Sequence, residues 1–223
     1  MWTVGLLHGK NLFVTKSDNS NVVRVFDKLA TKYDRSMQRC ERLFLGHGRE
    51  WAARQASGDV LELAVGTGLN LPLYPASTRL LGLDISEQMV TIAAEKIAAI
   101  GVADRARVEV GDVQALTLPD ESFDTVVSTY TFCTIPDPEA AAREAYRVLR
   151  PGGRFYLVEH GSSSNGIIRA CQRALDPLFV RFQADNIARD PLPYLEAAGF
   201  QVDEVRRSRV GIVFRVAATK AKR

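Results

Sequence analysis

Apolar residues recur along the chain with two periods, and the change between them divides it. Over residues 22–57 they fall at helical spacing, with Val25, Phe26, Leu29, Tyr33 and Met37 followed by Cys40, Leu43 and Phe44. Gly46 and Gly48 are expected to break that run. From Asp59 the texture turns to short apolar runs at 60–64, 80–83, 108–110, 123–127 and 154–158, which read as strands buried on both faces. Helical stretches separate them at 86–100, opening on Ser86 as N-cap, and at 138–149. Pro151-Gly152-Gly153 is expected to end the second helix and turn the chain into the next strand.

Strand and helix alternate, which predicts an α/β fold with a parallel, doubly wound sheet. The last two extended runs, 201–205 and 211–218, are joined by too short a link for anything but an antiparallel pair. The chain is read as one domain over 1–223, with a helical N-terminal lid at 1–57 and a core at 58–160. A helical insertion and the C-terminal hairpin fill 161–223.

Composition narrows the classes. A chain of 223 residues with 46% hydrophobic and 25% charged side chains suits an ordinary α/β domain. The formal charge of +3 places several basic groups in Arg206-Arg207-Ser208-Arg209 and in 220–223. A solvated face and a frayed terminus account for these, so no nucleic-acid partner is expected. Cys40, Cys133 and Cys171 show neither disulfide pairing nor zinc spacing, which fits a reducing cytoplasm. The start is apolar but short and reaches Lys10 quickly, unlike a signal peptide. No stretch approaches the roughly 20 apolar residues of a spanning helix. Peripheral membrane contact stays open, as does the oligomeric state.

The strongest chemical signal is Glu62-Leu63-Ala64-Val65-Gly66-Thr67-Gly68-Leu69-Asn70, directly after a buried strand. Glycines let a backbone approach a ligand closely, and a helix start near Leu71 would offer free N–H groups. Alone, such a turn is weak evidence. A second strand ends at Asp84, where a carboxylate can accept both hydroxyls of a ribose, and a third ends at Gly111-Asp112-Val113. The three ends converge on one crevice. A dinucleotide fingerprint would need a small residue where Leu71-Pro72 stands, and the antiparallel ending also argues against a dehydrogenase.

These motifs, in order over 60–160, resemble the class I S-adenosylmethionine-dependent methyltransferases. The resemblance implies a Rossmann-like, seven-stranded sheet, mostly parallel with an antiparallel C-terminal strand, and methyl transfer to a small-molecule acceptor. S-adenosylmethionine is the implied cofactor, S-adenosylhomocysteine its product. Glu62 would contact the loop or the cofactor's amino acid part, and Gly66 and Gly68, with Ala64 and Thr67, would shape the methionine pocket. Asp84 would hold the ribose, Ile85 and Val113 would flank the adenine near Met89, and Asp112 would accept from its exocyclic amine. Thr129 to Thr131 would face the sulfonium, and Tyr33 would close over the cofactor.

Within that family, Cys133, the stretch 147–153, Glu159-His160, Leu175-Asp176-Pro177, Asp185-Asn186 and Arg189 resemble the methyltransferase-like thiol S-methyltransferases. The turn through Leu71-Pro72 with Tyr74-Pro75 also resembles bacterial phosphatidylethanolamine N-methyltransferases. Phe26-Asp27 with Tyr33-Asp34 resembles quinone C-methyltransferases. Shared motifs identify the cofactor and leave the acceptor open: a thiol is favoured, a phospholipid amine or quinone carbon is the alternative, and a non-catalytic cofactor-binding regulator is the reading from another class.

His160, at a strand end on the crevice edge, would be a general base or substrate partner, or would simply satisfy a backbone group. Tyr130, Phe132, Cys133 and Phe182 form the expected acceptor pocket, although Cys133 also suits plain burial. Tyr33 reads equally as a lid or as its helix's core face, and Phe26 more as core face than as lid. No His, Asp and Glu cluster has ligand spacing, so no metal is expected.

Overall fold

The computed structural model describes residues 19–222. The apolar start and Lys10 lie outside the described residues, as do the first part of the expected lid and Arg223. The apolar runs form seven strands: β1 (Asp59–Leu63), β2 (Arg79–Asp84), β3 (Ala106–Val110), β4 (Phe123–Thr129), β5 (Leu149–His160), β6 (Gln201–Arg207) and β7 (Val213–Thr219). They pair in the order β3-β2-β1-β4-β5-β7-β6. The first five are mutually parallel, and β7 runs antiparallel to both β5 and β6. The sheet is thus the expected one, with its antiparallel strand at β7.

Alternate side chains of these strands feed two cores. Val60, Leu80, Val127 and Val158 face α2 (Gly48–Arg54) and α3 (Glu87–Ile100), where Ala52, Ala53 and Ala93 are wholly buried. Leu61, Leu63, Val126 and Leu157 face α4 (Pro138–Val148) and α6 (Leu192–Ala197), against Ala141, Ala145 and Leu195. Each large apolar side chain so buried contributes roughly 1.5–3 kcal/mol. Ser86 caps α3 as expected, accepting from Met89 N at 3.2 Å. Among the described residues no helix is long and apolar enough to cross a membrane.

Four local expectations are corrected. Gly46 (φ +66°) does end the first helical run, α1 (Ser20–Cys40) with its π-helical extension Glu41–Leu45. Gly48 instead opens α2, because a Cβ there would sit 2.5 Å from Val158 Cγ1; the glycine serves close packing of α2 on the sheet. Pro151-Gly152-Gly153 is a bulge inside β5, with Leu149 paired to Phe123 before it and Arg154 to Thr125 after it. After the glycine turn stands only a 3-10 turn, Leu71–Leu73: Pro72 suits its first turn, but Pro75 disfavours helical backbone at Tyr74, which is extended (ψ 139°) and ends it. Lys220 is no frayed tail: it is buried and donates to Leu149 O at 2.8 Å.

Chain order reverses between β1 and β4, the place where the carboxyl ends of an open α/β sheet leave a crevice. α1 lies beside it, packed on α3 with Ala30 as its one buried residue. α5 (Gly166–Gln183) buries none of its residues and exposes Ile167, Leu178 and Phe182.

Candidate active site

At the switch point the chain leaves β1 through a turn in which Ala64 (φ 52°), Gly66 (φ 56°) and Gly68 (φ 77°) all adopt left-handed conformations. Beyond the Gly66 Cα nothing crowds: the nearest atom to a Cβ placed there is Tyr33 Cε1 at 4.0 Å, so the backbone faces open space. Gly68 serves packing, its missing Cβ making room for Leu71. Ala64 and Tyr130 (φ 57°) carry a Cβ in that conformation, a strain of about 1–3 kcal/mol each of the kind that collects at functional sites. Both line one cavity at the carboxyl edge of the sheet.

The cavity wall assembles the three strand ends. Asp84, at the end of β2, accepts from Gly66 N and Ser86 N, both at 2.9 Å. Burial pushes its carboxyl up, against the pull of those amides. A carboxylate has about four acceptor sites, so Asp84 retains acceptor capacity beyond the backbone amides of Gly66, Ser86 and Ile85. Asp112 accepts from Asn19 Nδ2 at 2.7 Å and from Gln114 N at 2.9 Å. Ile85, Met89, Val113, Thr67, Thr129 and Thr131 share this wall. Across from it α1 contributes Val22, Phe26 and Tyr33, the last two in edge contact at 6.3 Å between centroids. α1 is held by polar links: Asp27 accepts from Ser86 Oγ, and Asp34 accepts from Thr67 Oγ1 and from Lys96 Nζ.

Behind the glycine turn runs a buried polar network that the sequence did not reveal. Arg49 of α2, only 8% exposed, donates to Thr129 Oγ1 at 2.7 Å and through Nε to Glu41. Its guanidinium also lies 5.0 Å from the Tyr130 ring centroid. Asn70 donates to Thr129 Oγ1 at 3.0 Å and to Glu62 Oε1 at 2.6 Å, and Tyr74 donates to Glu62 Oε2 at 3.0 Å. Glu62 thus braces the loop and is absent from the cavity wall. Burial raises its carboxyl to about 7. Arg49 Nη2 and Tyr130 OH are buried with no partner among the described residues, and both residues line the same end of the cavity. An arginine in a short, charged helical stretch reads as solvated; the glycines flanking His47 were the one available hint of close packing.

The expected acceptor pocket comes apart. Tyr130 lines the cavity, but Phe132 turns into the opposite core beside Phe155, the centroids 6.2 Å apart. Phe182 projects from α5 at 68% exposure. Cys133 is buried beside Glu159 and Asp185, which with burial itself raise its thiol well above the usual value. His160 does not reach the cavity and pairs with Asp185 at 3.4 Å. Burial pulls its imidazole down, but the hydrogen bond to Asp185 and the charge of Glu159 push it up to about 9. The cause is strand geometry: His160 ends β5, one strand further from the switch point than Thr129 of β4.

Residues 61–157 match the family described as methyltransferase domain. The chain is 39% identical over 118 residues to a phosphatidylethanolamine N-methyltransferase of Cereibacter sphaeroides, covering 53% of this chain and 58% of that enzyme. It is 31% identical to a ubiquinone/menaquinone biosynthesis C-methyltransferase of Hahella chejuensis, over 71% of this chain and 67% of that one. Human thiol S-methyltransferase TMT1A is 30% identical, over 75% and 70%. In fold the chain is similar to the cyclase SpnF, with TM-score 0.72, 18% identity and coverage of 91% and 96%. An S-adenosylmethionine-dependent methyltransferase from Methanosarcina mazei aligns with TM-score 0.60 at 25% identity, over 77% and 96%. Aligned over 71% and 75% of its length with methyltransferases at 30% identity or better, the chain belongs to the S-adenosylmethionine-dependent methyltransferase family.

Proposed function

We propose that the carboxyl-edge cavity holds S-adenosylmethionine and that the methyl group passes to a small acceptor with an easily ionised nucleophile, a thiol before an amine or a ring carbon. The observation that carries the first half is Asp84, clamped by Gly66 N and Ser86 N with acceptor capacity left over, on one wall with Asp112. In this reading Asp84 takes the ribose hydroxyls, Ile85 and Val113 sandwich the base, and Asp112 takes its exocyclic amine. Gly66 and Ala64 border the methionine part. Arg49 Nη2, buried without a partner, is suited to the carboxylate of that part, since a buried guanidinium N–H is costly unless it meets an acceptor.

S-adenosylmethionine supplies an electrophilic methyl group. What the chain adds is alignment and exclusion of water: Thr129, Tyr130 and Thr131 border the acceptor end, and Phe26 and Tyr33 cover it. The titratable groups on the described wall are Tyr33, Arg49, Asp84, Asp112 and Tyr130. Burial raises both phenols, so neither serves as a base near neutrality. Free thiols ionise near about pH 8.5 and need little help, whereas an ammonium or a ring carbon needs a proton acceptor.

A phospholipid amine is the second reading, favoured by the apolar side chains that α5 exposes beside Arg169, Arg173 and Arg181. One experiment separates them: S-adenosylhomocysteine release is followed with a panel of alkyl and aryl thiols, phenols, amines and phosphatidylethanolamine vesicles. Turnover of thiols, rising with pH along each thiol's own ionisation, is expected. Activity confined to the vesicles or to a quinone precursor, with every thiol inert, refutes the favoured acceptor.

A further inference from the structure

Away from the cavity, four chemically reactive side chains from three parts of the chain meet at one point. Cys133 lies in the segment after β4, Glu159 and His160 end β5, and Asp185 follows α5. Adjacent parallel strands bring the first three together. The fourth arrives because Asn186 N donates to Cys133 O at 2.9 Å and Arg189 Nη1 donates to Phe132 O and Ile135 O at 2.6 Å, docking 185–189 onto 132–135. The Cys133 sulfur, a Glu159 oxygen and a His160 ring nitrogen lie within 4.8 Å of one another. Asp185 Oδ2 is 3.4 Å from His160 Nε2, and its other oxygen, Oδ1, is buried with no partner among the described residues.

Part of this cluster has an ordinary explanation. Glu159 accepts from Thr131 N and His160 N at 2.9 Å and from Cys133 N at 3.3 Å, which suffices to bury a carboxylate. Those bonds fill Oε2 and leave capacity on Oε1. The Cys133 thiol faces both Glu159 and Asp185, but these bonds do not account for an imidazole and a second carboxylate converging on the same thiol. Two carboxylates and a thiol face one imidazole, so the set is short of positive charge.

We propose that Cys133, Glu159, His160 and Asp185 form a site for one divalent transition-metal ion, best matched by zinc. One sulfur, one imidazole nitrogen and carboxylate oxygens are a zinc donor set, whereas calcium and magnesium take oxygen alone. Donors held 2.0–2.3 Å from zinc in a tetrahedron stand about 3.3–3.8 Å apart, so Cys133, Glu159 and His160 need to close in by roughly 1 Å, and Asp185, now beside His160, has to move in to complete the set. The ion ties the segment bearing Thr131, Thr134 and Ile135, which are cavity wall, to the segment after α5. His160 is then a ligand and not a base, and the expectation of a metal-free protein is revised. Sequence spacing hid the site, because 52 residues separate Cys133 from Asp185.

The test is made on the full chain after chelation and needs no turnover. Cobalt(II) is titrated as a spectroscopic probe, and zinc affinity is read by competition with a chromophoric chelator. One equivalent is expected, with tetrahedral d–d bands and a thiolate-to-cobalt charge-transfer band that Cys133→Ser abolishes. Cys133→Ser and His160→Gln each weaken zinc binding at least about tenfold. Asp185→Asn, at a half-buried position, weakens it in the same direction, and Cys171→Ser on exposed α5 leaves it unchanged. Circular dichroism accompanies every variant. No zinc affinity tighter than about 10 μM, or binding indifferent to Cys133→Ser and Asp185→Asn, overturns the site.

Discussion

The side-chain amide of Asn19 donates to Asp112 Oδ2 at 2.7 Å, so the residue just before α1 occupies the carboxylate proposed to read the adenine amine. Asn19 Oδ1 in turn accepts from Gln114 Nε2 at 2.8 Å. α1 buries only Ala30 and is otherwise held by the links of Asp27 and Asp34, an arrangement with little apolar burial to lose on opening. In the proposed reading the cover and the cofactor therefore compete for the same carboxylate. Hydrogen exchange over 20–35 is expected to slow when S-adenosylhomocysteine binds. Equal protection with and without it would remove the lid.

Asp84→Ala is expected to weaken cofactor binding by roughly 1.5–3 kcal/mol, the scale of hydrogen bonds to a charged acceptor. Calorimetry with S-adenosylhomocysteine measures it, and circular dichroism guards against a collapsed turn, since Gly66 N and Ser86 N lose their acceptor too. A folded variant with an unchanged dissociation constant would place the ribose contact on another residue.

The central strands were readable because they are buried runs, and Ser86 was readable because capping is local chemistry; the run at 108–110, expected to be buried on both faces, is instead the largely exposed edge strand β3, with Val110 open to solvent. What failed depended on distant partners. Gly48 looks like a helix breaker until Val158 is known to press on it. Phe132 and Phe182 are apolar residues at plausible places, and nothing local says that one enters the far core while the other faces solvent. Arg49 is illegible for the same reason: its meaning comes from Thr129 and Glu41, 80 and 8 residues away.

Glu62 gives the fold a pH dependence whose sign follows from its burial. Its carboxyl, ordinarily near 4.5, is raised to about 7 because burial outweighs the bonds from Tyr74 and Asn70. Between those values the folded state holds a proton that the unfolded chain has released. The stability that this proton contributes is present at low pH and is lost as pH rises through about 7. At roughly 1.4 kcal/mol per pH unit the loss is about 3 kcal/mol. Glu62→Gln keeps an acceptor for Asn70 and cannot titrate. Its stability relative to the parent, measured by urea unfolding at pH 5 and pH 8, is expected to rise with pH by most of that amount, part of the loss having occurred below pH 5. Parallel pH profiles for the two proteins would show that Glu62 ionises normally.

Arg49 offers the sharpest test of how the cavity is filled. Nε is committed to Glu41 and Nη1 to Thr129, which leaves Nη2 as a buried donor near the Tyr33 phenol, the one the proposed reading gives to the methionine carboxylate. A lysine at this position keeps the positive charge for Glu41 but lacks the planar fork, so it cannot serve Glu41, Thr129 and a third acceptor together. Two ligands isolate the third acceptor: S-adenosylhomocysteine carries the amino acid carboxylate, and methylthioadenosine shares the adenosine and thioether without it. Arg49→Lys is expected to lower affinity for the first by about tenfold, about 1.4 kcal/mol, and to leave the second within about twofold. Equal losses for both ligands would mean that Arg49 only shapes the cavity through Thr129 and Tyr130. No loss for either would send the carboxylate to another donor, and the free Nη2 would then have to face the acceptor molecule instead.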